Sequence, residues 1–311
     1  MIRYLTKRLA YSLIAVLGIT LIVFIALNLS RNPVELMLPP SATKEDMEEM
    51  REIMGFNDPI LVQYGRFLKG AVVGDFGQSY NYDEPALDVV LERLPATLKL
   101  SAAALLLAAA IGIPAGVISA VRRGKLSDVL IRITALVGQC MPGFWLGIMM
   151  MLLFSVKLGW LPTSAQTAQD GVGAWKVIIM PAIALSVNTA ATITRLLRSN
   201  MLDVMNKEYI DVARSKGLGA WMVVMKHAFK NAITSIITVL GMQIANMVGG
   251  AVIIETVFAW PGVGRLAVMS ITNGDFMVVE AIVFILAVAF VLVNFLVDVL
   301  YCVINPRVQL Q

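Results

Sequence analysis

Long apolar runs alternate with short charged segments along this chain, and the spacing of the charges sets the count of elements. No Asp, Glu, Lys or Arg falls between Arg8 and Arg31, a stretch of 22 residues. The same is true of 22 residues between Lys99 and Arg122, 24 between Arg132 and Lys157 and 18 between Lys176 and Arg195. Two more runs follow, 24 residues between Lys230 and Glu255 and 17 between Glu280 and Asp298. A helix needs roughly 17–25 residues to cross the hydrocarbon of a bilayer. Lipid offers nothing to the backbone groups of an open strand, and closed barrels alternate apolar with polar positions, which these runs do not. The pattern predicts an all-α integral membrane protein with six transmembrane helices.

The first run is too long for a secretory signal, whose apolar core is about 7–15 residues. Here it continues over residues 9–29 and ends in Asn28-Leu29-Ser30, with no small-x-small cleavage site. It reads as an uncleaved first helix. Six spans place both termini on one side, and the basic residues say which. Of 25 Lys and Arg, 15 lie in the 66 residues of segments 1–9, 121–132, 195–232 and 305–311. Twelve acids lie from Glu35 to Glu92. Positive residues stay in the cytoplasm, so both termini are expected there. The chain divides into residues 1–30 (N-terminus and first span), a large external loop over 31–96, and a core over 97–311.

Composition agrees. The chain is 58% hydrophobic and 15% charged, with a mean hydropathy of +0.78, whereas soluble domains average about 25% charged residues. Disorder, collagen-like repeats and coiled coils are excluded on the same grounds. The net charge of +4 reflects the loop asymmetry and implies no nucleic-acid partner; the surrounding partner is the lipid bilayer.

Two loops are too large to be connectors alone. In the external one, Thr43 is a candidate cap with Asp46 three residues on, which predicts an amphipathic helix over Lys44–Met54 stopped by Gly55. Asp58-Pro59 then breaks the chain before a second short helix over 60–68. This loop reads either as a solvated hairpin lying on the membrane or as a platform for an external partner. In the cytoplasmic segment 195–232, residues 201–214 are helical in composition, with Met201, Val204, Met205, Tyr209 and Val212 near helical spacing. Gly217 stops this helix, and a second run over 220–231 leads into the fifth span. Two short amphipathic helices around a glycine form a compact knob, either a plain folded loop or a shape for the groove of a cytoplasmic partner.

The residues of that knob carry a resemblance. Glu208-Tyr209-Ile210-Asp211-Val212-Ala213-Arg214-Ser215-Lys216-Gly217-Leu218 is similar to the cytoplasmic loop of ABC importer permeases of the dipeptide, oligopeptide and nickel branch, where it runs close to E-Y-I-x-x-A-R-A-K-G-L and is followed by H-A-L-R-N-A. This chain continues His227-Ala228-Phe229-Lys230-Asn231-Ala232. Three further stretches resemble the same branch: Gly74-Asp75-Phe76-Gly77-Gln78-Ser79, Glu255-Thr256-Val257-Phe258-Ala259-Trp260-Pro261-Gly262-Val263-Gly264, and Asn294 through Asp298-Val299-Leu300-Tyr301 to Asn305-Pro306-Arg307. The resemblance covers the chain end to end. Ser235 stands where the branch usually has proline, and Arg31-Asn32-Pro33 where it usually has P-G-D-P.

The resemblance implies one half of a pore, paired with a second homologous permease, two cytoplasmic ATPase subunits and an extracytoplasmic substrate-binding protein, in a bacterial or archaeal plasma (inner) membrane. It implies no catalytic residue and no cofactor in this chain, since ATP and Mg would be bound by the ATPase subunits. No G-x-x-x-x-G-K-[ST] occurs in the sequence, so a phosphate cradle has to come from elsewhere. Glu208, Tyr209, Asp211, Ala213, Arg214, Lys216 and Gly217 would form the ATPase-coupling loop. Its glycine would allow the sharp turn and its alanine a close approach. Arg214 and Lys216 would pair with acidic groups of the ATPase or face lipid headgroups. Within the branch, passengers are di- and oligopeptides, glutathione and nickel or metal chelates, with peptides leading.

Single residues add less. His227 is the only histidine, which leaves no histidine-based metal site or triad and suits capping or packing. Cys140 and Cys302 lack C-x-x-C spacing and imply neither disulfide nor metal. Met149-Met150-Met151 reads as flexible core filler. Asn188, Asn246 and Asn294 are polar groups within spans, suited to holding helices together or lining a pathway. Glu255 and Glu280 are expected near external ends, where water reaches them, and Asp298 near the cytoplasmic end of the last span. A secondary transporter would show repeats and mid-span carboxylates, and an intramembrane enzyme would need a nucleophile–base or metal-ligand cluster. Neither pattern is found here. Finally, Phe258, Trp260, Pro261, Gly262 and Gly264 put two aromatics beside helix-breaking residues at the expected outer surface, either an interfacial anchor or an external gate.

Overall fold

The computed structural model describes residues 2–30, 43–55, 57–164 and 173–304. Expectations resting on Arg31-Asn32-Pro33 and on Asn305-Pro306-Arg307 lie outside these residues, as do the side chains of Asn246, Asp298 and Cys302. Among the described residues the regular structure is helical, with one isolated antiparallel bridge between Gln78 and Pro85. In chain order the helices are α1 (Ile2–Ser30), α2 (Lys44–Met54), α3 (Ile60–Val73), α4 (Ala86–Val121), α5 (Leu126–Cys140) and α6 (Gly143–Met150), the last running on as a π-helical stretch over Met151–Lys157. Then come α7 (Ala174–Met205), α8 (Glu208–Ser215), α9 (Ala220–Met222, running on as a π-helix over Val223–Phe229), α10 (Lys230–Val257), α11 (Val263–Asn273) and α12 (Phe276–Ile304).

Among the described residues, three helices are long and apolar enough to cross a membrane: Ala86–Val121, Trp175–Met205 and Phe276–Val297. The apolar run expected as the third span is bent. Its two arms, Leu126–Cys140 and Gly143–Lys157, meet at an angle of 100°. Met141 is extended before Pro142 (φ −83°, ψ 122°), because a proline ring clashes with a helical predecessor. Apolar side chains on α1, α4, α5 and α6, among them Leu13, Ile22, Leu106, Leu136 and Ile148, stand exposed. In water such surfaces would be costly, whereas hydrocarbon solvates them.

The chain separates into two compact units. The first comprises residues up to Thr97 together with Pro261–Phe295. Its core joins Phe76, Val89 and Val90 to Val263, Leu266, Val278 and Ile282. The capping box anticipated at Thr43 is present, with the Thr43 N–H donating to Asp46 Oδ2 at 2.8 Å and Asp46 N–H to Thr43 Oγ1 at 3.2 Å. Gly55 closes α2 in the left-handed region at φ 68°. Helix α3 runs further than the 60–68 expected, to Val73. Tyr64 is buried, and its hydroxyl donates to the Leu17 carbonyl at 2.9 Å and lies 2.9 Å from Thr20 Oγ1 in the middle of α1. Tilted aromatic contacts continue the seam, with ring centroids 5.7 Å apart for Phe24–Phe67, 6.0 Å for Phe67–Phe76 and 5.5 Å for Phe76–Phe284.

The second unit comprises Leu98–Trp260 and Leu296 onward. One core packs Ile193, Leu197 and Met201 of α7 against Ile210, Val223, Ala228 and Ile236. A second packs Leu100, Met150, Met180 and Ile254 around Phe258. Helices α4 and α7 touch backbone to backbone. A Cβ on Gly112 would stand 2.8 Å from the Ala190 carbonyl oxygen, and one on Gly116 would stand 3.0 Å from that of Thr194. Small residues one turn apart allow this approach, the usual means of packing helices where lipid supplies no hydrophobic drive. Asn188 holds helices together as anticipated, its Nδ2 donating to the Gln139 carbonyl at 3.2 Å.

Candidate functional site

The knob over 195–232 has different helix boundaries from those read in the sequence. Met201 to Met205 complete α7 and do not begin a separate helix. The break falls at Asn206-Lys207, where Lys207 is extended (φ −87°, ψ 143°) and opens α8. Helix α8 carries Glu208 and Asp211 in its first turn and Arg214 in its last, so its charges complement the helix dipole. Ile210 and Ala213 point into the core of the unit. The opposite face exposes Tyr209, Val212, Asp211 and Arg214, the last two paired at 3.4 Å.

Gly217 ends the helix at φ 77°, with its N–H donating to the Arg214 carbonyl at 2.9 Å. A Cβ there would meet nothing within 4 Å, so the restriction at Gly217 is conformational and not one of space. Lys216 stands exposed beside it. Helix α9 then presents Trp221 and Met222 outward, 73% and 48% exposed. The π-helical stretch after it holds His227, whose carbonyl accepts from Asn231 Nδ2 at 2.7 Å. Tyr209, Val212, Trp221 and Met222 are therefore exposed apolar side chains of a knob whose base is the end of α7.

That base has an anchor the sequence reading missed. Asp128, in the first turn of α5, is 1% exposed. It accepts from Ser119 Oγ at 2.6 Å on α4, from Gly124 N–H at 2.9 Å, and from Arg198 Nε and Nη2 at 2.8 and 3.0 Å on α7. Three helices meet on one carboxylate. Asp128 is the only acid in the basic segment 121–132, which was the signal available.

The aromatic stretch after α10 also departs from a simple surface loop. Phe258 is 2% exposed, and Gly147 of α6 makes room for its ring, since a Cβ there would stand 2.9 Å from Phe258 Cε2. Trp260 packs half-buried on the same core, its N–H donating to the Glu255 carbonyl at 2.8 Å. Glu255 was expected within reach of water; it is instead fully buried, because the helix turns its side chain inward one turn before the break. Between them Ala259 adopts φ 48°. In the other unit, Gly262 caps α11, where Val263 N–H donates to Thr97 Oγ1 at 2.8 Å and Gly264 is buried. Pro261 precedes that cap, so the five residues are divided between the two units.

The motif Gly74-Asp75-Phe76-Gly77-Gln78-Ser79 has its own partner in the first unit. Ser79 Oγ donates to Asp275 Oδ2, which also accepts from Asn81 N–H at 3.3 Å and Asn81 Nδ2 at 3.2 Å. Asp275 is fully buried. A short loop is thereby tied to the turn that opens α12.

Residues 112–310 match the family described as binding-protein-dependent transport system inner membrane component, and residues 1–101 match its N-terminal membrane component. An oligopeptide transport system permease protein of Bacillus subtilis, AppB, is 38% identical, covering 99% of this chain and 100% of that protein. A dipeptide transport system permease protein of Alkalihalophilus pseudofirmus, DppB, is 35% identical over 99% of this chain and 100% of its own length. A glutathione transport system permease protein of Escherichia coli K12, GsiC, is 34% identical over 99% of each. Among solved structures, the inward-facing MetNI methionine ABC transporter superposes with a TM-score of 0.58 at 18% identity, covering 70% of this chain and 96% of that one. With both family matches end to end, this chain belongs to the binding-protein-dependent transport system inner membrane components.

Proposed function

We propose that this chain is one membrane subunit of an ATP-driven importer, with di- or oligopeptides as its passengers. The observation that carries the reading is the α8–Gly217–α9 knob, a rigid amphipathic projection on a chain whose full-length relatives are named for peptide transport. Six spans place both termini in the cytoplasm, and a second homologous permease completes the pathway. Two ATPase subunits bind ATP and Mg, and an extracytoplasmic binding protein delivers the passenger. Tyr209, Val212, Trp221 and Met222 enter a groove of the ATPase while Asp211, Arg214 and Lys216 rim it. Closure of the ATPase dimer draws two such knobs together and rocks the helices between inward and outward access. Phe258 and Trp260, with Pro261, Gly262 and Gly264, seal the outer mouth while the inner side is open.

Co-reconstitution of the chain with its partner subunits tests this. Uptake of a labelled dipeptide into proteoliposomes should require both ATP and the binding protein. Uptake driven by an ion gradient without ATP overturns the reading in favour of a secondary transporter. A glutathione passenger is the second reading, favoured by the relative named for glutathione, and competition between the two substrates ranks them.

A further inference from the structure

A cleft of about 310 Å³ opens within the first unit, walled by Phe24, Phe67, Phe76 and Met277, with Asp75 and Glu280 among its polar groups. Glu280 projects from the second turn of α12 and is only partly accessible. Among the described residues its carboxylate has neither a hydrogen bond nor an ion pair. Arg66 also lines the cleft, but its guanidinium is engaged by Asp58. Asp75 at the rim uses Oδ1 to accept from Gly77 N–H at 3.0 Å.

A carboxylate held on an aromatic wall without a counter-charge is an expensive arrangement that a cation relieves. The phenyl rings add to the attraction, since their π faces are negative and draw positive charge, most strongly where water is excluded. Ca2+ or Mg2+ fits poorly, because each takes a shell of six or more oxygens. Among the described residues no group of three or more His, Cys, Asp or Glu could hold one. A primary ammonium suits the same walls. It is a compact cation with three donors, able to reach Glu280 and Asp75 while its methylene lies on the rings.

We infer that this cleft binds a primary ammonium group, with Glu280 as its counter-ion. Two sources carry that chemistry, the N-terminal ammonium of a peptide and the ethanolamine headgroup of a phospholipid. The first source rests on the import reading above; the second does not.

The test uses the assembled permease–ATPase complex, without binding protein, in nanodiscs of pure phosphatidylcholine. Titration with glycyl-leucine should raise the melting temperature, and N-acetyl-glycyl-leucine should not. If the source is lipid, discs containing phosphatidylethanolamine should raise it instead, and added dipeptide should then do little. In either arm Glu280→Gln should weaken the apparent affinity at least about tenfold, the loss expected for one charge-assisted contact. Phe67→Leu, which keeps the carboxylate and most of the volume, should weaken it by a smaller factor. The inference is overturned if neither ammonium source shifts wild type more than its acetylated or choline counterpart, or if Glu280→Gln responds as wild type does. ATP-dependent uptake measured on the same wild-type complex separates the readings. Failed uptake with an intact ammonium response overturns the import proposal alone, and the converse overturns only this one.

Discussion

Replacing Asp128 by alanine should be among the most damaging single changes in this chain. The side chain is 1% exposed and receives four hydrogen bonds from three elements, two of them from Arg198. Removing one partner of a buried pair typically costs about 3–5 kcal/mol, because the other charge is left without compensation. Arg198 remains 20% exposed, so water recovers part of its solvation, and the lower end, about 3 kcal/mol, is expected. Arg132, 51% exposed and 3.5 Å away, adds little, as exposed pairs do. Asp128→Asn keeps the shape and one acceptor and should cost about half as much. The double change Asp128→Leu with Arg198→Met should recover most of the loss, since it leaves no orphaned charge. Equilibrium unfolding in mixed detergent micelles gives the free energies. Were Asp128→Ala within about 0.5 kcal/mol of wild type, or the double variant no better than the single, the buried-pair argument would be wrong.

Three further outcomes are expected. Gly217→Trp should insert normally but leave the assembled complex hydrolysing ATP in its proposed ATPase subunits without transport, since the left-handed φ of 77° costs a non-glycine residue about 1–2 kcal/mol and the indole alters the knob; wild-type uptake at wild-type abundance sinks the idea. Phe258→Ala should lose about 3–5 kcal/mol through a core cavity, whereas Trp260→Ala, at a side chain half-buried on the same core, should lose less and, if the mouth is a gate, raise leak or futile ATPase activity in the assembled complex. The Thr43 N–H and hydroxyl hold Asp46 below its ordinary carboxylate range, so its contribution to the α2 cap is fully present above that range and lost as pH falls through the depressed value. Protection of the Lys44–Met54 amides, measured relative to their intrinsic exchange rates at each pH, should therefore fall only in acid, and a loss of protection near neutrality refutes the assignment.

The all-helical membrane class was legible because a bilayer penalises charge over a fixed thickness, and among the described residues three of the charge-free runs fall in helices long and apolar enough to cross it. The α2 cap was legible for a local reason, as Thr43 and Asp46 are three residues apart. The bend at Met141-Pro142 was hidden because a charge-free run has the same composition straight or folded. Only the proline hinted at it. The contacts of Asp128 with Arg198, 70 residues on, and of Ser79 with Asp275, 196 residues on, lie beyond what spacing in one sequence can join. The knob's exposed face was partly readable, but Met201 and Met205 belong to the helix before it, because a periodic apolar stripe does not mark where a helix restarts.

The bend between α5 and α6 bears on how the chain is made. Each arm is about 15 residues, or roughly 22 Å at 1.5 Å per residue, which is short of a hydrocarbon core of about 30 Å. Neither arm can therefore settle across the bilayer as an independent stop during synthesis. The carbonyl of Gln139 at the elbow is met by Asn188 of α7, a segment translated some fifty residues later. Until α7 arrives, the bent pair lacks that donor as well as a full hydrophobic length. Its integration should wait for the following helix, so a ribosome stalled before residue 188 would hold a nascent chain whose 126–157 segment is still open to the aqueous side.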